Sequence, residues 1–152
     1  MINPQQFRLC VVRPTLHHLE LWSQSAENLL VGTALVESKL TYLKQFGDGP
    51  ALGVFQIEPA TFEDIYFRFL KNRPVLDVAV KRLVMPAWHP LEQLTHNHAL
   101  GCAIARCKYL MDPRPLPEPN DVTGLGETWK RCYNTLAGKG TVEKFVTAYR
   151  SA

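Results

Sequence analysis

The chain has 152 residues, of which 46% are apolar, 20% charged and 10% aromatic. That is enough length to bury a core, with the composition of an ordinary globular domain. Disordered, collagen-like and disulfide-scaffold classes are excluded, and no apolar run approaches the ~20 residues a helical membrane span needs. The 17 Lys and Arg against 14 Asp and Glu leave a net charge of +3; it is spread along the chain without basic blocks, so it selects no nucleic acid or other anionic partner.

The pattern is helical almost throughout, and the expected fold class is mainly α. Asn3-Pro4 reads as a cap with proline in the first helical turn, and Pro14 opens a second short helix carrying Leu16, Leu19 and Trp22. From Ser25, the expected N-cap, Leu29, Leu30, Ala34 and Val36 mark an amphipathic helix ending near Glu37–Leu40. Gly47, Gly49, Pro50 and Gly53 then punctuate too densely for a helix, which predicts a tight turn or small hairpin. A helix resumes at Pro59 and another spans roughly Val75–Val84. The longest periodic run, Leu91–Met111, has small residues that allow close packing and reads as the central buried helix. Pro113, Pro115, Pro117 and Pro119 mark an extended connection. Two last helices are expected at about Leu125–Asn134 and Thr141–Arg150.

The four cysteines, Cys10, Cys102, Cys107 and Cys132, include no C-x-x-C pair and sit in apolar helical contexts. They read as reduced core thiols of a protein made in the cytoplasm. The opening MINPQQFRLCVVRPTLHHLELW has no basic segment followed by an apolar run, so no signal peptide is expected. His98 and Cys102 share a helical face but His96 does not, and no tight two-spacer pair occurs; no metal and no cofactor are expected.

Glu37 is the first candidate for chemistry. It follows Leu35 and Val36 at a helix C-terminus, where apolar walls and the negative end of the helix dipole both disfavour the charged carboxylate. A carboxyl group that keeps its proton near neutral pH can donate it to a leaving oxygen, as glycosidic cleavage requires. Gly53 and Gln56 in the turn region offer close backbone approach and an amide for a ligand.

The order Glu37-Ser38, then Gly53-Val54-Phe55-Gln56-Ile57-Glu58-Pro59-Ala60-Thr61, then Tyr133-Asn134 resembles the soluble lytic transglycosylase and goose-type lysozyme superfamily. There a Glu-Ser at a helix end precedes Gly-Leu-Met-Gln-Ile-x-Pro-x-Thr and Ala-Tyr-Asn-Ala-Gly. Val54 and Phe55 replace Leu and Met, a volume-tolerant exchange, while Cys132 and Thr135 replace the alanines flanking Tyr-Asn. The segment YNTLAGKGT resembles bacteriophage members, where the enzyme is a lysis protein or a virion part.

The resemblance implies a lysozyme-like helical domain over 25–152, with 1–24 as an N-terminal helical extension packed on it and the Gly-rich turn beside an active-site cleft. It implies peptidoglycan glycan strands as substrate, cut between N-acetylmuramic acid and N-acetylglucosamine. Glu37 matches the general acid, which in the transglycosylases then acts as base on the muramoyl 6-hydroxyl to close a 1,6-anhydro ring. Ser38 and Gln56 match substrate-holding positions, and Tyr133 and Asn134 the block whose tyrosine lines the cleft. Holin-dependent release or delivery by virion proteins is the implied route to the wall.

An inverting hydrolase would instead need a second carboxylate roughly 6.5–9.5 Å from the acid. Asp48 and Glu58 are the candidates, although Asp48 between glycines is also ordinary turn chemistry and Glu58 suits a helix N-terminus. A non-catalytic helical virion or adaptor domain is the remaining alternative.

Overall fold

The structure, a computed structural model, describes residues 1–134 and 138–152. Thr135, with the rest of the YNTLAGKGT segment up to Gly138, lies outside the described residues. The fold is mainly α: helices account for most of the described chain, and among the described residues there is no sheet, only isolated antiparallel bridges from Leu52 to Lys44 and to Ile57.

Helix α1 (Pro4–Phe7) is capped by Asn3, whose side chain accepts from the Gln6 amide at 3.0 Å. It runs through a π-helical turn, Arg8–Val12, into α2 (Arg13–His18). Pro14 explains the wide turn. Its ring crowds the carbonyl four residues back and it has no N–H, and the Arg13 amide reaches five residues back to Arg8 O. Phe7, Val12 and Leu16 are fully buried in one cluster with residues of every later helix, so residues 1–24 share a single hydrophobic core with the rest.

Helix α3 (Gln24–Ser38) starts at Ser23, two residues before the expected cap, with Ser23 Oγ accepting from the Ala26 amide at 3.0 Å. It is buried nearly all round. Two consecutive non-glycine residues end it in the left-handed region, Lys39 at φ +54° and Leu40 at φ +51°. Such backbone costs of order 1 kcal/mol per residue and persists where surroundings hold it. Here Leu40 is buried in the core and its carbonyl accepts from the Ile2 amide at 2.9 Å.

After the Gly-rich turn come α4 (Pro59–Glu63), a π turn (Asp64–Phe69), a short 3-10 turn (Leu70–Asn72) and α5 (Pro74–Lys81). The expected single run from Leu91 is broken. A 3-10 turn covers Glu92–Thr95, and α6 (His98–Leu110) starts afresh behind Asn97, whose side chain caps the Leu100 amide at 3.0 Å. A local side-chain cap outcompetes helix continuity there. Helix α6 is nevertheless the central element, buried from Leu100 to Cys107. Helix α7 (Val122–Trp129) continues into a π turn (Lys130–Asn134), and α8 (Val142–Arg150) closes the fold.

Glycines set how closely α8 docks. The Phe145 ring occupies the space a Cβ on Gly32 of α3 would need and lies against Gly126 of α7. It also packs on the Trp129 ring at 5.9 Å between centroids. This stacking fixes Trp129, which is only 2% exposed, and carries the geometry of the core through to the end of α3.

The four cysteines are free. Cys102 and Cys107 are core residues as expected, and burial pushes their thiols up, Cys107 to about 12. Cys10 is exposed and Cys132 half-buried, because the π turns beneath them rotate these side chains away from the core face that a regular helical period predicts.

Candidate functional site

Glu37 sits in the last turn of α3, half-buried, beside a cleft of about 410 Å³ that is also lined by Tyr42, Gln45, Phe46, Gln56 and Glu58. The Trp129 indole N–H donates to Glu37 Oε1 at 2.9 Å. Burial raises the Glu37 carboxyl above the ordinary carboxylate range, while the Trp129 donor and the Lys108 ammonium pull it partly back. The net shift is toward the protonated acid, the state a proton donor must occupy before reaction.

The Gly53–Ile57 turn is brought to this helix end by hydrogen bonds that the sequence spacing does not reveal. Gly53 has φ +74°, and a Cβ there would run into the Leu94 carbonyl, so both backbone and space demand glycine. The Leu52 and Ile57 amides and carbonyls pair at 2.9 and 3.0 Å, closing the turn. Gln56 adopts φ +48° and its Nε2 donates to Gly53 O at 2.9 Å, which orients the side chain at the cleft and leaves its amide oxygen for a ligand.

Ser38 is a brace. It is 1% exposed, and its hydroxyl donates to Val54 O at 2.7 Å with Ala34 O at 3.0 Å. Buried in this way and absent from the cleft lining, Ser38 links helix end and turn in place of the expected substrate contact. Tyr133 performs the same task from the opposite side. Its buried ring stacks on Tyr109 at 5.5 Å, and its hydroxyl donates to Phe55 O. Asn134 accepts from Lys130 Nζ at 2.9 Å and from the Gly140 amide at 3.1 Å, pinning the chain before α8. Neither residue is among those lining the cleft.

Of the two carboxylate candidates, Glu58 lines the cleft and Asp48 does not. Asp48 is exposed in the Gly47-Asp48-Gly49 turn. Glu58 is exposed at the N-terminus of α4 with no capping bond to occupy it.

The fold adds Trp129 and Lys108 to the site. Burial holds the Lys108 ammonium below its ordinary value, with Glu37 and Glu58 pulling it up. Its Nζ donates to Tyr133 O at 3.0 Å and lies 4.2 Å from the centre of that ring. The one available signal for Trp129 was the general rule that a buried indole N–H seeks an acceptor. Among the described residues no three His, Cys, Asp or Glu side chains gather where they could hold a metal ion.

A larger groove, about 660 Å³, is lined by Met1, Pro4, Val36 and Ala148, with Lys39, Glu143 and Lys144 as its charged groups. All three of those charges are exposed, whereas Glu37, half-buried at the end of α3, lines the smaller cleft. No family model, no curated protein and no solved structure matches the chain.

Proposed function

We propose that the protein is a peptidoglycan-cleaving muramidase of the lytic transglycosylase type, with Glu37 as its single acid and then base. The observation that carries this reading is the pairing, at one helix end, of a half-buried Glu37 bonded by Trp129 with the Gln56 turn in one open cleft. In the proposed reaction Glu37 gives its proton to the glycosidic oxygen between N-acetylmuramic acid and N-acetylglucosamine. As carboxylate it then takes the proton of the muramoyl 6-hydroxyl, which attacks C1 to form a 1,6-anhydro ring. Trp129 holds Oε1 during both steps, and the Lys108 charge stabilises the transient carboxylate. No cofactor takes part. Action on the wall follows release from the cell or delivery as part of a virion.

The test is clearing of outer-membrane-permeabilised bacteria by the wild type and by Glu37→Gln, which keeps the shape and deletes the transferable proton. Clearing by the wild type alone supports the reading, and equal behaviour removes it. Mass spectrometry of the products then separates two chemistries. Anhydromuramoyl ends support the single-acid route. Reducing ends alone would favour hydrolysis with Glu58 activating water, the carboxylate that shares the cleft.

A further inference from the structure

Phe46 is 85% exposed and Tyr42 43% exposed, yet the segment between them is firmly anchored. The Gln45 amide donates to Ala51 O at 2.9 Å, Gln45 Oε1 accepts from the Ala51 amide at 3.2 Å, and the Gly53 amide donates to Leu43 O at 2.7 Å. The Gln45 side chain also fills the space over Gly49 that a Cβ would need. These bonds tie Tyr42 and Phe46 to the same turn that carries Gln56. The two rings meet edge to face, 6.0 Å apart at 65°. Their contact with each other leaves much of both rings in water, so intramolecular packing gives no account of an aromatic side chain at position 46.

Both rings line the Glu37 cleft, whose other lining groups are Ala51 and the hydrogen-bonding side chains Gln45, Gln56 and Glu58. A wall of exposed aromatic faces beside a floor of amides and carboxylates matches one ligand chemistry well. A pyranose ring presents a patch of axial C–H bonds on its face and hydroxyl or amide groups around its edge. A lipid chain or apolar peptide would leave the polar groups unpaired, and a polyanion would find no lysine or arginine among the described lining residues.

We infer that Tyr42 and Phe46 form a sugar-stacking platform that seats one N-acetylhexosamine of a β-1,4-linked glycan beside Glu37, with Phe46 supplying the main ring face. The inference rests on the muramidase reading and adds the residues that hold the glycan. Tyr42 and Phe46 act in binding and transfer no proton.

The experiment measures binding of an N-acetylglucosamine tetramer by calorimetry to full-length Glu37→Gln, alone and with Phe46→Ala, Phe46→Trp, Tyr42→Ala or Tyr42→Phe added. KM for peptidoglycan cleavage is measured in the same four variants on the wild-type background. Phe46→Ala is expected to weaken binding at least about tenfold, the scale of losing a stacked ring face. Tyr42→Ala should weaken it less, while Phe46→Trp and Tyr42→Phe should bind as the parent does. KM should rise in the alanine variants with kcat nearly unchanged. Because position 46 is exposed, Phe46→Ala should melt with the parent. Binding and KM within twofold of the parent in both alanine variants, with cleavage intact, would overturn the platform and leave the muramidase reading standing. A Glu37→Gln parent that does not bind the tetramer, together with a wild type that does not cleave the wall, would overturn both.

Discussion

Trp129 donates its indole N–H to Glu37 across 92 residues of sequence, at 2.9 Å. The bond ties the proposed acid to the core, where Trp129 is held by Phe145 and by the close approach of Gly140. A donor to a carboxylate favours its charged form, so this bond opposes the effect of burial at the same group.

Removing that donor should raise the Glu37 pKa further. Trp129→Phe keeps a ring in place and deletes the N–H, so carbon-detected NMR titration should show Glu37 above an ordinary glutamate in the wild type and higher still in the variant. The basic limb of the pH–activity profile should move upward with it, because protonated Glu37 then persists to higher pH. A lower or unchanged value in Trp129→Phe would contradict this role. The truncation itself should cost about 1–3 kcal/mol of stability.

Glu37 should also weaken the fold at neutral pH. A carboxyl whose folded pKa is raised contributes stability that is fully present below its unfolded value, near ~4.3, and is lost as pH rises through the folded value. Glu37→Gln does not titrate. The variant should therefore melt close to the wild type at about pH 3 and above it at pH 7, by a few °C at most for a chain of this size. Calorimetric scans at the two pH values check this, and a wild type that melts higher at pH 7 would refute it.

Glu27 has the opposite linkage. Its side chain is fully buried and accepts from Arg13 Nε at 2.8 Å, Arg8 Nη1 at 3.0 Å and Trp22 Nε1 at 2.8 Å. Burial alone would raise its carboxyl, but the donors Arg13, Trp22 and Arg8 together outweigh it and hold the group down at about 2. This stability is present above ~4.3 and should drain away as pH falls from about 4 toward 2. Glu27→Gln leaves the arginines without their counter-charge. It should cost roughly 3 kcal/mol at pH 7, the low end for a broken buried pair because Arg13 is partly solvated. Urea titration at pH 7 and pH 2.5 should show that difference shrinking at the acid end.

Gly53→Ala should damage the turn without touching the acid. Its φ of +74° disfavours a side chain, and the added methyl would meet the Leu94 carbonyl. A cost of about 1–3 kcal/mol is expected. Displacement of Gln56 should also raise KM more than stability loss alone would explain. A variant matching the wild type in both melting temperature and KM would show that the turn tolerates a Cβ.

Local chemistry made much of the helical plan legible. The cap at Asn3, the prolines opening helices and the glycine-dense break after α3 are short-range signals, set by orphan backbone groups and allowed backbone angles. So is the position of Glu37 at a helix end next to apolar neighbours. The π turns were not legible, because a wide turn changes which face a residue shows without changing composition; that is why Cys10 lies at the surface.

The partners of the site belong to tertiary structure alone. Ser38 and Tyr133 look in the sequence like groups offered to a ligand. In the fold their hydroxyls are consumed by Val54 and Phe55 carbonyls, since a turn buried against a helix end must have its backbone acceptors satisfied. The sequence by itself determined that the chain is mainly helical and placed one acid at the end of α3. Long-range packing decided that Trp129 and Lys108 would face that acid, that Glu58 rather than Asp48 would share its cleft, and that Tyr42 and Phe46 would stand exposed beside it. Hydrogen bonds and burial between distant segments leave no periodic trace in the chain.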